Sequence, residues 1–244
     1  MNTTDERIKN LPIQRVKNIL LSPTTEWPVI AAETTTPKEL YLKYVMLLAA
    51  IPAVVGLLVN SVFGNEVPHF GTFRMDIGTG IAHAILQYAM SLGLVWVMAW
   101  IVDALAPKFG SESNFIQSLK LVVYAMTPGW IIVGILGFLL PLQSLAAVLA
   151  LLALALVYVL HLLYIGLPIM KNPPSEKRLS YFVDIMVTAI CGAIVIGSVV
   201  VKLRPVPPKM TFSEAKALQD AVMKQFEKTG DILNKKLEEA GKTK

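Results

Sequence analysis

Between residues 115 and 167 the chain runs for about fifty residues with almost no charge, interrupted only by Pro-Leu-Gln-Ser at 141–144. A helix needs about 20 mostly apolar residues to cross a hydrocarbon layer of roughly 30 Å. This block is too long for one crossing, and its single break suits a tight helical hairpin. It therefore reads as two spans, 115–140 and 142–167, and three further apolar segments qualify at 42–63, 78–105 and 182–201. Composition agrees: 55% of the 244 residues are apolar and 16% are charged, whereas soluble domains carry near 25% charge. The expectation is an all-α membrane protein with five transmembrane helices. Residues 1–41 form a cytoplasmic leader, 42–203 the membrane domain, and 204–244 a Pro-rich spacer with an amphipathic tail helix. The first 40 residues hold many charges and no apolar core, so no signal peptide is expected.

Orientation follows from Lys and Arg near the spans. The leader carries Arg7, Lys9, Arg15, Lys17 and Lys38, the second loop Lys108, and the fourth Lys171, Lys177 and Arg178. The first loop has only Arg74 and the third none. The alternation places the N-terminus in the cytoplasm and, with five spans, the C-terminus in the periplasm. Lys202, Arg204, Lys209 and Lys216 follow the last span and weigh against that second placement. The net charge of +5 suits loops beside anionic lipid rather than nucleic acid.

The leader has its own pattern. Ile13, Val16, Ile19 and Leu20 recur at helical spacing, with Arg15 and Lys17 off that face. A basic amphipathic helix beside a span reads as lying in the headgroup layer, and Trp27 as an interfacial anchor. Ser22-Pro23 offers an N-cap with proline at the first helical position. Thr36-Pro37-Lys38-Glu39 is a capping-box start for the first span. The leader is thus expected to form two short interfacial helices.

The leader NILLSPTTEWPVIAAE, with IVDALAPKFG (101–110), SLKLVVYAMTPGW (118–130) and LLYIGLPIMKNPP (162–174), resembles the bacterial branch of the Yip family. The resemblance covers roughly residues 10–203, and its most specific element is YAxTP with a lysine four residues before the tyrosine. It implies a five-span fold with a cytoplasmic N-terminus in the bacterial inner membrane. Eukaryotic relatives are implicated in vesicle traffic and bind small GTPases through longer cytosolic N-terminal regions.

Ionisable residues inside spans are costly unless they find partners or water, and so they point to sites. With the N-terminus inside, Asp103, Lys120, Tyr124, His161, Tyr164 and Asp184 all fall in the cytoplasmic half of the bilayer. Lys120 and Tyr124 share a helix face with Thr127 and Pro128, and Pro128 deprives the Tyr124 carbonyl of its helical donor. One reading is a pocket open to the cytoplasm, lined by Lys120, Tyr124, His161 and Asp184, with Asp103 pairing Lys120. The other is structural: boundary carboxylates, a snorkelling Lys120 and a His161 bonded to a backbone carbonyl. Pro52 reads as a second kink, serving packing. In the last span Ala189, Ala193 and Gly197 make a small-residue face for close helix approach, within the bundle or against another copy. Cys191 is the lone cysteine, so neither an intrachain disulfide nor a cysteine metal site is expected.

No P-loop, dinucleotide, nucleophile-elbow or HExxH pattern is present. The sequence therefore reads as a non-enzyme with no metal and no cofactor. Two functions remain: a scaffold that organises lipid, other membrane proteins or further copies of itself, and a carrier of small solutes, ions or lipid built on the polar cluster.

Overall fold

The structure is a computed structural model that describes residues 12–67, 71–136, 145–203 and positions 223, 224 and 227. The expected tail helix lies almost entirely outside these residues. By contact the chain divides into Met1–Ala193 and Ile194–Lys244. In the second unit the described residues are the end of the last helix and the three isolated positions.

The first unit opens with two ten-residue helices, α1 (Pro12–Leu21) and α2 (Pro23–Ala32). Helix α3 (Pro37–Phe63) follows. Thr36 and Glu39 close the expected capping box at its start. Its turns widen to π geometry at Tyr41–Val45 and again at Leu58–Phe63. A small antiparallel hairpin, β1 (Asn65–Val67) and β2 (Gly71–Phe73), pairs Glu66 with Thr72. It was not expected from the sequence, because three-residue strands carry too little alternation to register. Helix α4 (Ile77–Leu105) is capped by Asp76, whose carboxylate accepts the Thr79 amide at 3.1 Å. A 3-10 turn (Ala106–Phe109) closes it at Gly110, which takes a left-handed φ of 76°. Helix α5 (Phe115–Ile131) is capped by Asn114 and runs on through a π turn (Ile132–Leu136). Helices α6 (Leu145–Lys171) and α7 (Arg178–Leu203) complete the set.

Four helices among the described residues are long and apolar enough to cross a membrane: Pro37–Phe63, Ile77–Phe109, Phe115–Gly134 and Leu149–Lys171. The third is 61% buried within the protein, against 22–28% for the others, which makes α5 the centre of the bundle. The outer faces of its neighbours are apolar and open, with Ile85, Leu86, Trp100, Leu154, Leu156 and Val157 all exposed. That inversion of a soluble protein's surface is what lipid contact requires.

Tyrosine and tryptophan side chains tie the bundle. Tyr41 donates to the Leu92 carbonyl at 2.9 Å, Tyr88 to the Met46 carbonyl at 3.2 Å, and Trp130 to Ser91 Oγ at 3.1 Å. Pro52 and Pro128 both sit inside helices that continue past them. Gly134 faces Ile51 and the Pro52 backbone, where a Cβ would collide. The proline site in α3 is thus a close helix contact. At α7, Tyr181 stacks on Phe109 with centroids 4.9 Å apart and donates to the Val102 carbonyl. Ala189 is half-buried, and the side chains of Ala193 and Gly197 lie outside the described residues.

The leader does not lie apart from the bundle. Trp27, Ile19 and Ile30 are fully buried in the same core as α5 and α6. Gly166 is the seat: a Cβ there would stand 2.6 Å from the indole Cε2 and 2.8 Å from Leu121 Cδ1. Trp27 therefore holds the leader to the helices instead of facing headgroups. The expected apolar face of α1 is corrected in the same way. Its buried residues are Arg15 and Ile19, Val16 and Leu20 are half-buried, and Ile13 is 82% exposed. A single-helix periodicity does not show that Arg15 would find acidic partners on α2.

Candidate functional site

The side chains expected to form one cluster separate into several, each explained by local geometry. Asp103, near the end of α4, does not pair Lys120. Its carboxylate accepts from Lys171 Nζ at 3.0 Å, Ser113 Oγ at 2.6 Å, Ser118 Oγ at 2.9 Å and the Asn114 amide at 2.7 Å. Lys171 is nearly fully buried. This network closes the ends of α4 and α6 on the start of α5.

Lys120 is only 2% exposed, so it does not reach for headgroups. Its ammonium donates to the Ile30 carbonyl at 3.0 Å and to the Glu33 carbonyl. Those carbonyls lie at the C-terminal end of α2, where helical acceptors lack partners and the helix dipole favours a cation. Gln117 adds a bond to the Ala31 carbonyl at 3.1 Å. Four residues on, Tyr124 meets Tyr44 edge to face at 4.9 Å, with the Arg15 guanidinium 5.8 Å from its ring centroid. Thr127 shares a hydrogen bond of 2.8 Å with the Tyr44 hydroxyl. The K-x3-Y-A-x-T-P element is thus the receptor for the leader and for the start of α3.

The others face elsewhere. His161 is exposed on α6 and stacks on Tyr158 with centroids 6.0 Å apart. Tyr164 is 39% exposed and meets the Phe182 ring edge-on. Asp184 bonds Lys108 at the rim, where both side chains are partly exposed. Lys120, Tyr124, His161 and Asp184, the walls expected of one pocket, thus face different partners, and Tyr124 borders a cleft that the other three do not line.

That cavity is a cleft of about 500 Å³ between the leader, the start of α3 and α5. Pro12, Arg15 and Ala32–Thr35 form one wall, Glu39, Leu40, Lys43 and Tyr44 the other, and Tyr124 closes it. Arg15 is buried and forked between the carboxylates of Glu26 and Glu33, and Asn18 supports Glu26 at 3.1 Å. Lys43 is exposed and 3.5 Å from Glu39. The π-helical turn at Tyr41–Val45 brings Lys43 and Tyr44 into this wall, and such turns recur at functional sites. Sequence reasoning missed Arg15, Glu26, Glu33, Tyr44 and Lys171 as members of these networks.

Together these features define an α-helical multi-pass membrane protein whose N-terminal leader is docked into the bundle. A family model described as the Yip1 domain matches residues 17–197, and the chain belongs to that family. It is similar to the inner membrane protein YohC from two strains of Escherichia coli. Each is 28% identical over 169 residues, covering 69% of this chain and 85% of the relative. No solved structure matches the chain. The apolar helices and the inner-membrane relatives together support a multi-pass location in the inner membrane.

Proposed function

We propose that this chain is a non-enzymatic scaffold of five spans that presents the leader and the cleft to partners at the cytoplasmic face. One observation carries the reading. Lys120, Asp103 and Lys171, ionisable groups within the candidate spans, are each bonded to protein groups, and their bonds fasten helix ends together. A carrier needs such groups free to exchange partners with cargo. The accessible polar surface lies instead at the cleft, which is framed by the leader.

Helix α7 supplies the fifth span, since its 26 residues reach about 39 Å at 1.5 Å per residue. The network joining Asp103, Asn114 and Lys171 puts the end of α4, the start of α5 and the end of α6 on one side. Arg15, Lys38, Lys43, Lys108, Lys177 and Arg178 belong to that same side, and the positive-inside rule makes it cytoplasmic. Tags on both termini test this arrangement: finding them on the same face of the membrane would remove the five-span count.

The scaffold reading is tested by placing a photo-crosslinking residue at Thr34, an exposed position on the cleft wall, in native membranes. Discrete protein or lipid adducts, weakened by Lys43→Glu, are expected. A second copy of this chain counts among the partners that would support it. No adduct beyond that from an exposed control at Glu176, together with solute uptake by proteoliposomes that Asp103→Asn abolishes, would replace the scaffold with a carrier.

A further inference from the structure

The contacts of the leader fix how deep it lies along the bundle. At its upper end, the Ile30, Ala31 and Glu33 carbonyls receive Lys120 and Gln117, close to the start of α5. Trp27 sits against Gly166 and Leu121. At its lower end, the Tyr158 hydroxyl donates to the Leu20 carbonyl at 2.6 Å. Tyr158 is mid-helix in α6, thirteen residues before Lys171 and the network at the bundle's end. At the helical rise of 1.5 Å per residue the turn between α1 and α2 lies ~15–20 Å below that end. A leader resting in the headgroup layer would not reach Tyr158.

We infer that α1 and α2 form a re-entrant hairpin whose turn, around Leu21–Pro23, is embedded among the acyl chains of the cytoplasmic leaflet. Two independent features fit that solvent. The first is that both backbone groups of Ser22, at the turn, are bonded within the chain, as hydrocarbon demands. The Ser22 amide donates to the Asn18 carbonyl at 2.8 Å, and the Ser22 carbonyl accepts the Glu26 amide at 3.2 Å and Thr25 Oγ1 at 2.9 Å. Pro23, at the first helical position, has no amide to satisfy. The second feature is the outward surface. Leu21 is 71% and Val29 50% exposed, and the α6 surface near Tyr158 carries the equally open Leu154, Leu156 and Val157. The hairpin extends the lipid-facing surface of the bundle, and its occupant is the acyl-chain layer. Arg15 is turned inward to the carboxylates of Glu26 and Glu33. Lys17 is the exposed cation among the hairpin's described residues. It stands about 7.5 Å below Pro12 by helical rise, within reach of the headgroups for a long side chain.

The test uses the full chain in liposomes of inner-membrane phospholipid, with Cys191→Ser leaving the introduced thiol as the single one. Leu21→Cys and Thr24→Cys, both exposed at the turn, are compared with Lys38→Cys, which is exposed beside the start of α3. A membrane-impermeant maleimide should label Lys38→Cys and fail at Leu21→Cys, with labelling restored when detergent replaces the lipid. A fluorophore attached at Leu21→Cys through a permeant linker should be quenched more by a lipid carrying its quencher in mid-chain than by one carrying it at the headgroup. Labelling of Leu21→Cys from water at the rate of Lys38→Cys, or stronger quenching from the headgroup, would place the turn at the surface and overturn the inference. Thr24→Cys provides the same readouts on the other side of the turn, so misfolding of a single variant leaves the question answerable.

Discussion

Replacing Gly166 by alanine and Trp27 by alanine, singly and together, probes the seat of the leader. The Gly166 methyl would stand 2.6 and 2.7 Å from the indole carbons and 2.8 Å from Leu121 Cδ1. Real Cβ atoms do not approach so closely, so the indole must move. Overpacking of this kind costs about 1–3 kcal/mol. Trp27→Ala removes a fully buried ring, which costs about 3–5 kcal/mol in soluble cores. Lipid is itself apolar, so the loss here is mainly of packing and should fall near the lower figure. In the double variant the new methyl enters the space left by the indole, and the overpacking falls to the 2.8 Å approach to Leu121 Cδ1, the end of a flexible side chain. The pair should therefore be less destabilised than the sum of the singles, with a coupling of about 1–2 kcal/mol. Hydrogen exchange read by mass spectrometry at residues 12–33 in detergent or nanodiscs measures this directly as opening of the leader. Additive effects, or unchanged protection of the leader in Trp27→Ala, would refute the docking of the indole on Gly166.

Other interactions yield graded expectations. Lys171→Met leaves Asp103 without its buried cation and should cost about 3–5 kcal/mol. Adding Asp103→Asn should recover part of that loss in a denaturant titration. Lys108→Ala breaks a pair whose lysine side chain is 64% exposed, and should change stability by no more than about 1 kcal/mol. Tyr44→Phe and Thr127→Val each remove the same 2.8 Å bond, so each should cost about 1 kcal/mol, and the double variant little more than either. Thr36→Ala removes the capping box of α3 and should cost about 1 kcal/mol, read as faster exchange at residues 37–40.

Four of the expected spans were legible because bilayer thickness imposes a length on apolar runs, and the helices lie close to the expected positions. Phe115 opens α5 and Leu105 ends α4 as the sequence indicated. The cap at Thr36 was legible for a similar reason: its partners lie three residues apart. What escaped was everything that depends on two distant segments meeting. Lys120 was singled out, but its partners are carbonyls 87 and 90 residues away, and carbonyls leave no mark in a sequence. Arg15 and Lys17 look alike in the pattern of α1, yet one is buried and the other exposed. The difference is made by Glu26 on the returning helix and Glu33 just past its end. Lys171 was counted as a loop charge, and the fold uses it to neutralise Asp103.

The central claim is that the ionisable residues of the spans hold helices together and bind no cargo. A thermal-shift screen of the purified protein against divalent metals, nucleotides, small organic ions and lipids, run beside Asp103→Asn and Lys120→Met, addresses it most directly. A ligand that binds the folded state must raise its apparent stability. The expected result is that metals, nucleotides and organic ions leave the wild type unshifted, with both variants melting lower in every condition. A shift by one of those solutes that disappears in Asp103→Asn or Lys120→Met would make those residues a binding site and contradict the claim.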